Sequence, residues 1–181
     1  AEIRYPATMG RAVFDYRFDN ATELTGYASL RLWVEAEGSD DMDLFVALQK
    51  LDAKGEVVGF TWYAFYENGP IALGWQRVSH RALDPDRSTP EQPVHLHTHE
   101  EPLKPGECVK VEVEIWPFSA RFEAGESLRV IIAGRDLYER EEGLMLPFPL
   151  HEQTRNRGTH IIRTGGEFDS SLLLPVIPPQ S

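Results

Sequence analysis

In the stretch VKVEVEI, Val109, Val111, Val113 and Ile115 point one way while Lys110, Glu112 and Glu114 point the other. That two-residue period belongs to a strand with one face in a core and one in water, and it leaves no room for a helix. The same alternation runs through MDLFVAL, with Met42, Leu44, Val46 and Leu48 on one side, and through SLRLWVE, with Leu30, Leu32 and Val34 set against Arg31 and Glu35. Weaker versions occur at 12–18, 60–66, 74–80, 127–133, 159–164 and 171–177, which gives about nine strands.

Turn chemistry separates them. Asp52-Ala53-Lys54-Gly55, Asn68-Gly69-Pro70, Lys104-Pro105-Gly106-Glu107 and Glu123-Ala124-Gly125-Glu126 each carry a glycine that tolerates positive φ, and some add a proline that fixes it. No dozen residues keep the spacing of an amphipathic helix. The best candidate, LYEREEGLML, is interrupted by Gly143, so at most a short helix fits there. Many short strands with long polar crossings at 84–107 and 134–157 predict an all-β, antiparallel β-sandwich with Greek-key or jelly-roll connections.

With 181 residues the chain can bury one sizeable core, roughly two-thirds of its unfolded surface, so residues 1–181 read as a single domain. A formal net charge of −11 works against nucleic acid and anionic lipid, which need clustered Lys and Arg. No run approaches the ~20 apolar residues of a membrane helix, and AEIRYPATMG lacks the order of a signal peptide. The chain reads as soluble, with neither nucleic acid nor membrane as partner. It begins at Ala and enters strand-like sequence almost at once, which suggests a piece of a longer protein. Lone Cys108 reads as a small core residue.

Catalytic signatures are sparse. There is no Gly-x-Ser-x-Gly turn to hold a strained nucleophile, and Ser79 and His80, as neighbours on an expected strand, would face opposite sides. The paired glycines of TGGEFD lack a P-loop Lys-Ser/Thr and read as a β-turn. Asp40, Asp41 and Asp43 could offer oxygens to calcium, but without the spacing and closing Glu of a dedicated loop.

The run HLHTHE places His95, His97 and His99 at alternate positions. In an extended chain they share a face at intervals of about 7 Å, too far apart for all three to ligate one zinc at about 2 Å. Two could share an ion only with a third ligand from elsewhere. A polar crossing with its imidazoles bonded to backbone or water is the expected reading, and no metal or other cofactor is expected.

Trp62, Tyr63, Phe65, Tyr66 and Trp75 cluster around Asn68-Gly69. Strand alternation turns part of this set outward, towards a partner surface or a sugar. Trp62, Phe65 and Trp75 are the candidate contact residues.

Several ordered segments together resemble the C-terminal non-catalytic domain of the X-Pro dipeptidyl-peptidase and cocaine-esterase family of serine hydrolases. They are the strand Asp41-Met42-Asp43-Leu44-Phe45, the strand end Ser79-His80-Arg81, the turn Ile115-Trp116-Pro117 and the close Leu174-Pro175-Val176. The resemblance covers nearly the whole chain. It implies a jelly roll similar to galactose-binding domains, following an α/β-hydrolase domain that carries the Ser-Asp-His triad and is not in this sequence. It also implies that this chain is no enzyme by itself. Its partner would be that hydrolase domain, whose substrate pocket it helps to wall, with self-association when isolated. The stretch PVHLHTHEEPLKPGE then corresponds to a long connection without catalytic role. The alternative function is a carbohydrate-binding module.

Overall fold

The computed structural model describes residues 1–62, 66–137, 151 and 153–178; for residues 62 and 66–68 it describes the backbone path alone. Thirteen strands appear among the described residues: β1 Glu2–Pro6, β2 Arg11–Arg17, β3 Thr22–Glu37, β4 Asp43–Leu51, β5 Val57–Val58, β6 Phe60–Trp62, β7 Tyr66–Gly69, β8 Ala72–Arg77, β9 Val109–Phe122, β10 Ser127–Ala133, β11 Thr159–Arg163, β12 Ser171–Leu173 and β13 Val176–Ile177. A 3-10 turn, Val78–His80, follows β8. Among the described residues no helix is long and apolar enough to cross a membrane.

Two antiparallel sheets face each other, as the alternation predicts. One has the order β1-β11-β3-β12, with β9 and β13 also paired to β3, and the other has β2-β10-β4-β5, with β8 also paired to β4. The long β3 is the spine of the first sheet and pairs with β9 from Thr22↔Phe122 to Val34↔Val109. Its inward residues Leu24, Ala28, Leu30, Leu32 and Val34 meet Leu44, Val46, Leu48, Leu128 and Ile132 of the facing sheet in one apolar core. Each of the valine, leucine and isoleucine side chains contributes about 1.5–3 kcal/mol by leaving water.

The second sheet is buried on both faces at its centre. Its outward residues Ala47, Leu73 and Ile131 form a smaller cluster against which Trp75 and Leu137 pack. This explains why β4 is buried from Asp43 through Leu48 without alternation of exposure.

Several local expectations are corrected. Residues 115–117 form no turn: β9 runs on through them, and Trp116-Pro117 stand opposite Tyr27 where the register shifts between Gly26 and Ala28. This is a β-bulge, which absorbs the missing N–H of Pro117 and points Trp116 outward. The 60–66 run is not one strand, since β6 and β7 pair with each other, Phe60↔Gly69 and Trp62↔Tyr66, and Asn68-Gly69 lie in β7 rather than in a turn. Pro175 splits 171–177 into β12 and β13. β1 is an additional strand that pairs with β11. Cys108 is half-buried at the entrance to β9 rather than in the core.

The turns at 52–55, 104–107 and 123–126 close as expected, with Gly55, Gly106 and Gly125 at positive φ. Phe168 N–H donates to the Gly165 carbonyl at 3.1 Å, the β-turn read in TGGEFD. The helix candidate LYEREEGLML lies, after Leu137, outside the described residues.

Candidate functional site

Two arrangements at one end of the sandwich gather the polar chemistry of the chain. In the first, the acidic residues ahead of β4 are taken up by arginines and an asparagine from far along the chain. Asp41, almost wholly buried, accepts the Met42 N–H and the Ser79 N–H at 2.9 Å each and the Ser79 hydroxyl at 2.7 Å. Arg155 Nη1 reaches its other side at 3.2 Å and forks onto Glu100 with two bonds of 2.9 Å. The pairing with Glu100 leads in raising the Arg155 pKa.

Asp43 receives a bidentate clasp from Arg77 at 2.7 and 3.1 Å and the Arg155 N–H at 2.7 Å. The side chain of Asn156 accepts the Asp43 N–H and donates to the Asp43 and Gly134 carbonyls. Behind it, His160 Nε2 lies 3.0 Å from Asn156 Oδ1, and burial drives the imidazole pKa down to about 4. Each carboxylate is therefore neutralised by a guanidinium and saturated with donors, the condition under which buried charge is tolerated. The oxygens that Asp41 and Asp43 could have offered to calcium are committed to this network.

The second arrangement is the seam where β8 of one sheet meets β9 of the other. Gly74 permits the approach: a Cβ there would stand 2.3 Å from the Glu114 carbonyl oxygen. Beside it Trp75 and Trp116 meet edge-on, ring centroids 5.0 Å apart. The crossing that carries HLHTHE passes over this seam, and His95 Nε2 lies 3.0 Å from the Glu112 carbonyl. Burial, reinforced by His97 and His80, holds His95 below the usual histidine range. A cleft of about 340 Å³ results, lined by Trp75, Trp116, Arg77, Asp43, Glu114, Gln76 and three histidines.

Those histidines are not the expected alternating trio. His97 adopts positive φ, which breaks the extended run, and His99 turns away to Glu101 at 3.1 Å. Instead His80, which leaves the expected strand on the 3-10 turn, stacks against His97 at 5.5 Å. Among the described residues no three or more His, Cys, Asp or Glu side chains converge on a point a metal ion could occupy. Ser79 and His80 form no dyad, because the serine hydroxyl is bonded to Asp41 and His80 Nε2 faces Glu100 at 3.5 Å.

Of the residues nominated from sequence, Trp75 lies at the centre of this region. It is half-buried, donates to Asp136 at 3.2 Å, and touches Trp116 on one side and His151 on the other. Trp62 is in β6, with its side chain outside what is described, and Phe65 lies outside the described residues. Trp116 and His80 were missed. Trp116 follows Ile115 at an outward position of the β9 alternation, so its exposure was readable. His80 joins the cleft only through the 3-10 turn, which no local pattern announced.

The model of the X-Pro dipeptidyl-peptidase C-terminal non-catalytic domain matches residues 7–173. A CocE/NonD family hydrolase from Staphylococcus aureus, solved as a crystal structure, superposes with a TM-score of 0.93 at 40% identity over 98% of this chain and 33% of its own. A Mycobacterium bovis protein provisionally assigned to the serine esterases is 30% identical over 122 residues, 65% of this chain and 18% of its own length. An aminopeptidase from a Thaumarchaeota archaeon shares the fold at 13% identity, with a TM-score of 0.58 over 93% of this chain. The chain thus spans about a third of the Staphylococcus aureus hydrolase and under a fifth of the Mycobacterium bovis protein. It belongs to the family of X-Pro dipeptidyl-peptidase C-terminal non-catalytic domains, as found in hydrolases of the CocE/NonD type.

Proposed function

We propose that this chain is an accessory domain that packs on the α/β-hydrolase domain of a parent serine hydrolase and walls part of its substrate pocket. The observation that carries the reading is that residues 7–173 match a non-catalytic domain of hydrolases and that the chain corresponds to 33% of the Staphylococcus aureus hydrolase. On the six-stranded sheet, Arg163 pairs with Glu35 at 2.7 Å and Glu2 at 2.8 Å, and Arg31 pairs with Glu112 at 3.3 Å and Asp169 at 3.0 Å, a cross-strand ladder suited to water. On the outer side of the five-stranded sheet Ala47, Leu73 and Ile131 are already buried, and half-buried Trp75 and exposed Val13 border them. Among the described residues of this side, Val13 and Trp75 are apolar side chains offered to a partner.

The occupant is argued from length: the Staphylococcus aureus hydrolase devotes 33% of its chain to the matching domain, and the remainder is available to meet it. Trp62, Phe65 and Trp75 are the proposed contacts. The parent's substrates, on this reading, are acyl esters, amides or dipeptides with proline. The test replaces the matching third of the Staphylococcus aureus hydrolase by this chain. A folded chimera that hydrolyses whatever ester the unmodified enzyme does, and loses it when Trp75 and Val13 are made polar, supports the proposal. A chimera whose two parts melt independently and ignore those changes contradicts it.

A further inference from the structure

We infer that His151 is a polar anchor for the hydrolase domain: its Nε2 offers a hydrogen-bond acceptor to a hydroxyl on that partner. This rests on the docking proposed above and adds the chemistry of one contact.

Phe45 of β4 and Trp75 of β8 are cross-strand partners on the outer side of the five-stranded sheet. His151 lies over the pair, its ring centroid 5.5 Å from each of theirs. Asp136 holds it from a third direction. That carboxylate accepts the His151 backbone N–H at 2.7 Å, the Trp75 indole N–H at 3.2 Å and His151 Nδ1 at 3.2 Å. A carboxylate only accepts, so Nδ1 carries the hydrogen, and in the neutral ring Nε2 is left with its lone pair.

This grip exceeds what the ring's own burial requires. The His151 side chain is 52% exposed, and Nε2 has no hydrogen-bond partner among the described residues. His99, 53% exposed, is the contrast: Thr98 and Glu101 of its own loop take both of its nitrogens, at 3.0 and 3.1 Å. A solvent-facing ring fixed from β4, β8 and the segment after β10, with one acceptor unused, is a contact ordered before its partner arrives, which lowers the entropy lost on binding.

The surroundings limit what reaches it. An indentation of about 80 Å³ borders the ring, with Phe45, Trp75, Gln153 and Thr154 in its wall. At roughly 30 Å³ for each water-sized group, it takes the tip of one side chain. Asp136 already has three donors, so a cationic tip would find no free counter-charge at this ring. A neutral hydroxyl needs none.

The test has two arms. In the isolated chain at about pH 9, nitrogen–proton correlation spectra of the imidazoles read the His151 tautomer. The Nδ1–H form is expected, and the Nε2–H form overturns the inference. In the chimera with the Staphylococcus aureus hydrolase, deuterium exchange at imidazole Cε1 reads the cover over each histidine. Exchange at His151 should be about tenfold slower than in the isolated chain, with His99 unchanged. His151→Phe keeps a ring against Phe45 and Trp75 but removes the acceptor. It should leave the melting of the isolated chain in place and weaken docking about tenfold, so that the two parts of the chimera melt further apart. His151→Gln, which restores an acceptor, should recover part of the coupling. An active chimera that melts as one unit, yet leaves His151 exchanging as fast as in the isolated chain or loses nothing in His151→Phe, overturns this inference and leaves the docking proposal standing. Independent melting of the two parts in the unmodified chimera would remove both.

Discussion

Ser79 donates its hydroxyl to Asp41 at 2.7 Å across 38 residues of chain, and its backbone N–H reaches the other oxygen of the same carboxylate at 2.9 Å. This one carboxylate ties the end of the β8 turn to the start of β4 and, through Arg155, to the crossing that precedes β11. Asp41→Ala would leave two buried Ser79 donors and a guanidinium without their acceptor. The expected loss of stability is about 3 kcal/mol, measured by urea unfolding, against about 1 kcal/mol for Ser79→Ala.

His160 makes stability depend on acid in a defined direction. It is fully buried beside Tyr5 and Asn156, and its pKa falls from 6.5 to about 4 in the fold. Above pH 6.5 the ring is neutral in both states and the fold bears no penalty. As pH drops from 6.5 towards 4, the unfolded chain binds a proton that the native state refuses, so stability declines by up to about 3 kcal/mol; below 4 this contribution stops changing. Denaturation midpoints recorded across that window should show the decline, and His160→Gln should flatten it.

Two glycines are required by close approach. A Cβ at Gly134 would lie 1.8 Å from the Ala7 carbonyl oxygen and 2.8 Å from Asn156 Nδ2, and one at Gly74 would press on Glu114. Gly134→Ala and Gly74→Ala are each expected to cost about 1–3 kcal/mol by overpacking. Calorimetry distinguishes this from a neutral surface change, and Gly74→Ala should also disturb the Trp75–Trp116 contact, visible in near-ultraviolet circular dichroism.

The isolated chain should associate with itself through the margin of the five-stranded sheet around exposed Val13. Sedimentation coefficients that rise with concentration, and fall back on Val13→Ser, are the expected pattern. A constant monomer value at high concentration would count against that margin as an interface.

The strands with strict alternation were legible from sequence because burial on one face only imposes the pattern directly: VKVEVEI and SLRLWVE lie in the expected places. Legibility failed where the backbone departs from that period. The bulge at Trp116-Pro117, the split at Pro175 and the 3-10 turn at Val78–His80 each change which way a side chain points without altering composition. Long-range pairing was the other blind spot. The bond from Arg155 to Asp41 spans 114 positions, and nothing local says that two neighbouring aspartates will be neutralised from there. The histidine run shows both effects: His95 is fixed by the β9 backbone, His97 by a left-handed turn, and His80 enters from another element.

Hydrolysis by the purified chain alone tests most directly that this is a non-catalytic domain. With p-nitrophenyl acyl esters and X-Pro p-nitroanilides, the release of chromophore should equal that of buffer. Release above buffer that survives purification and disappears in Ser79→Ala, or on substitution of any other serine of the chain, would contradict the account.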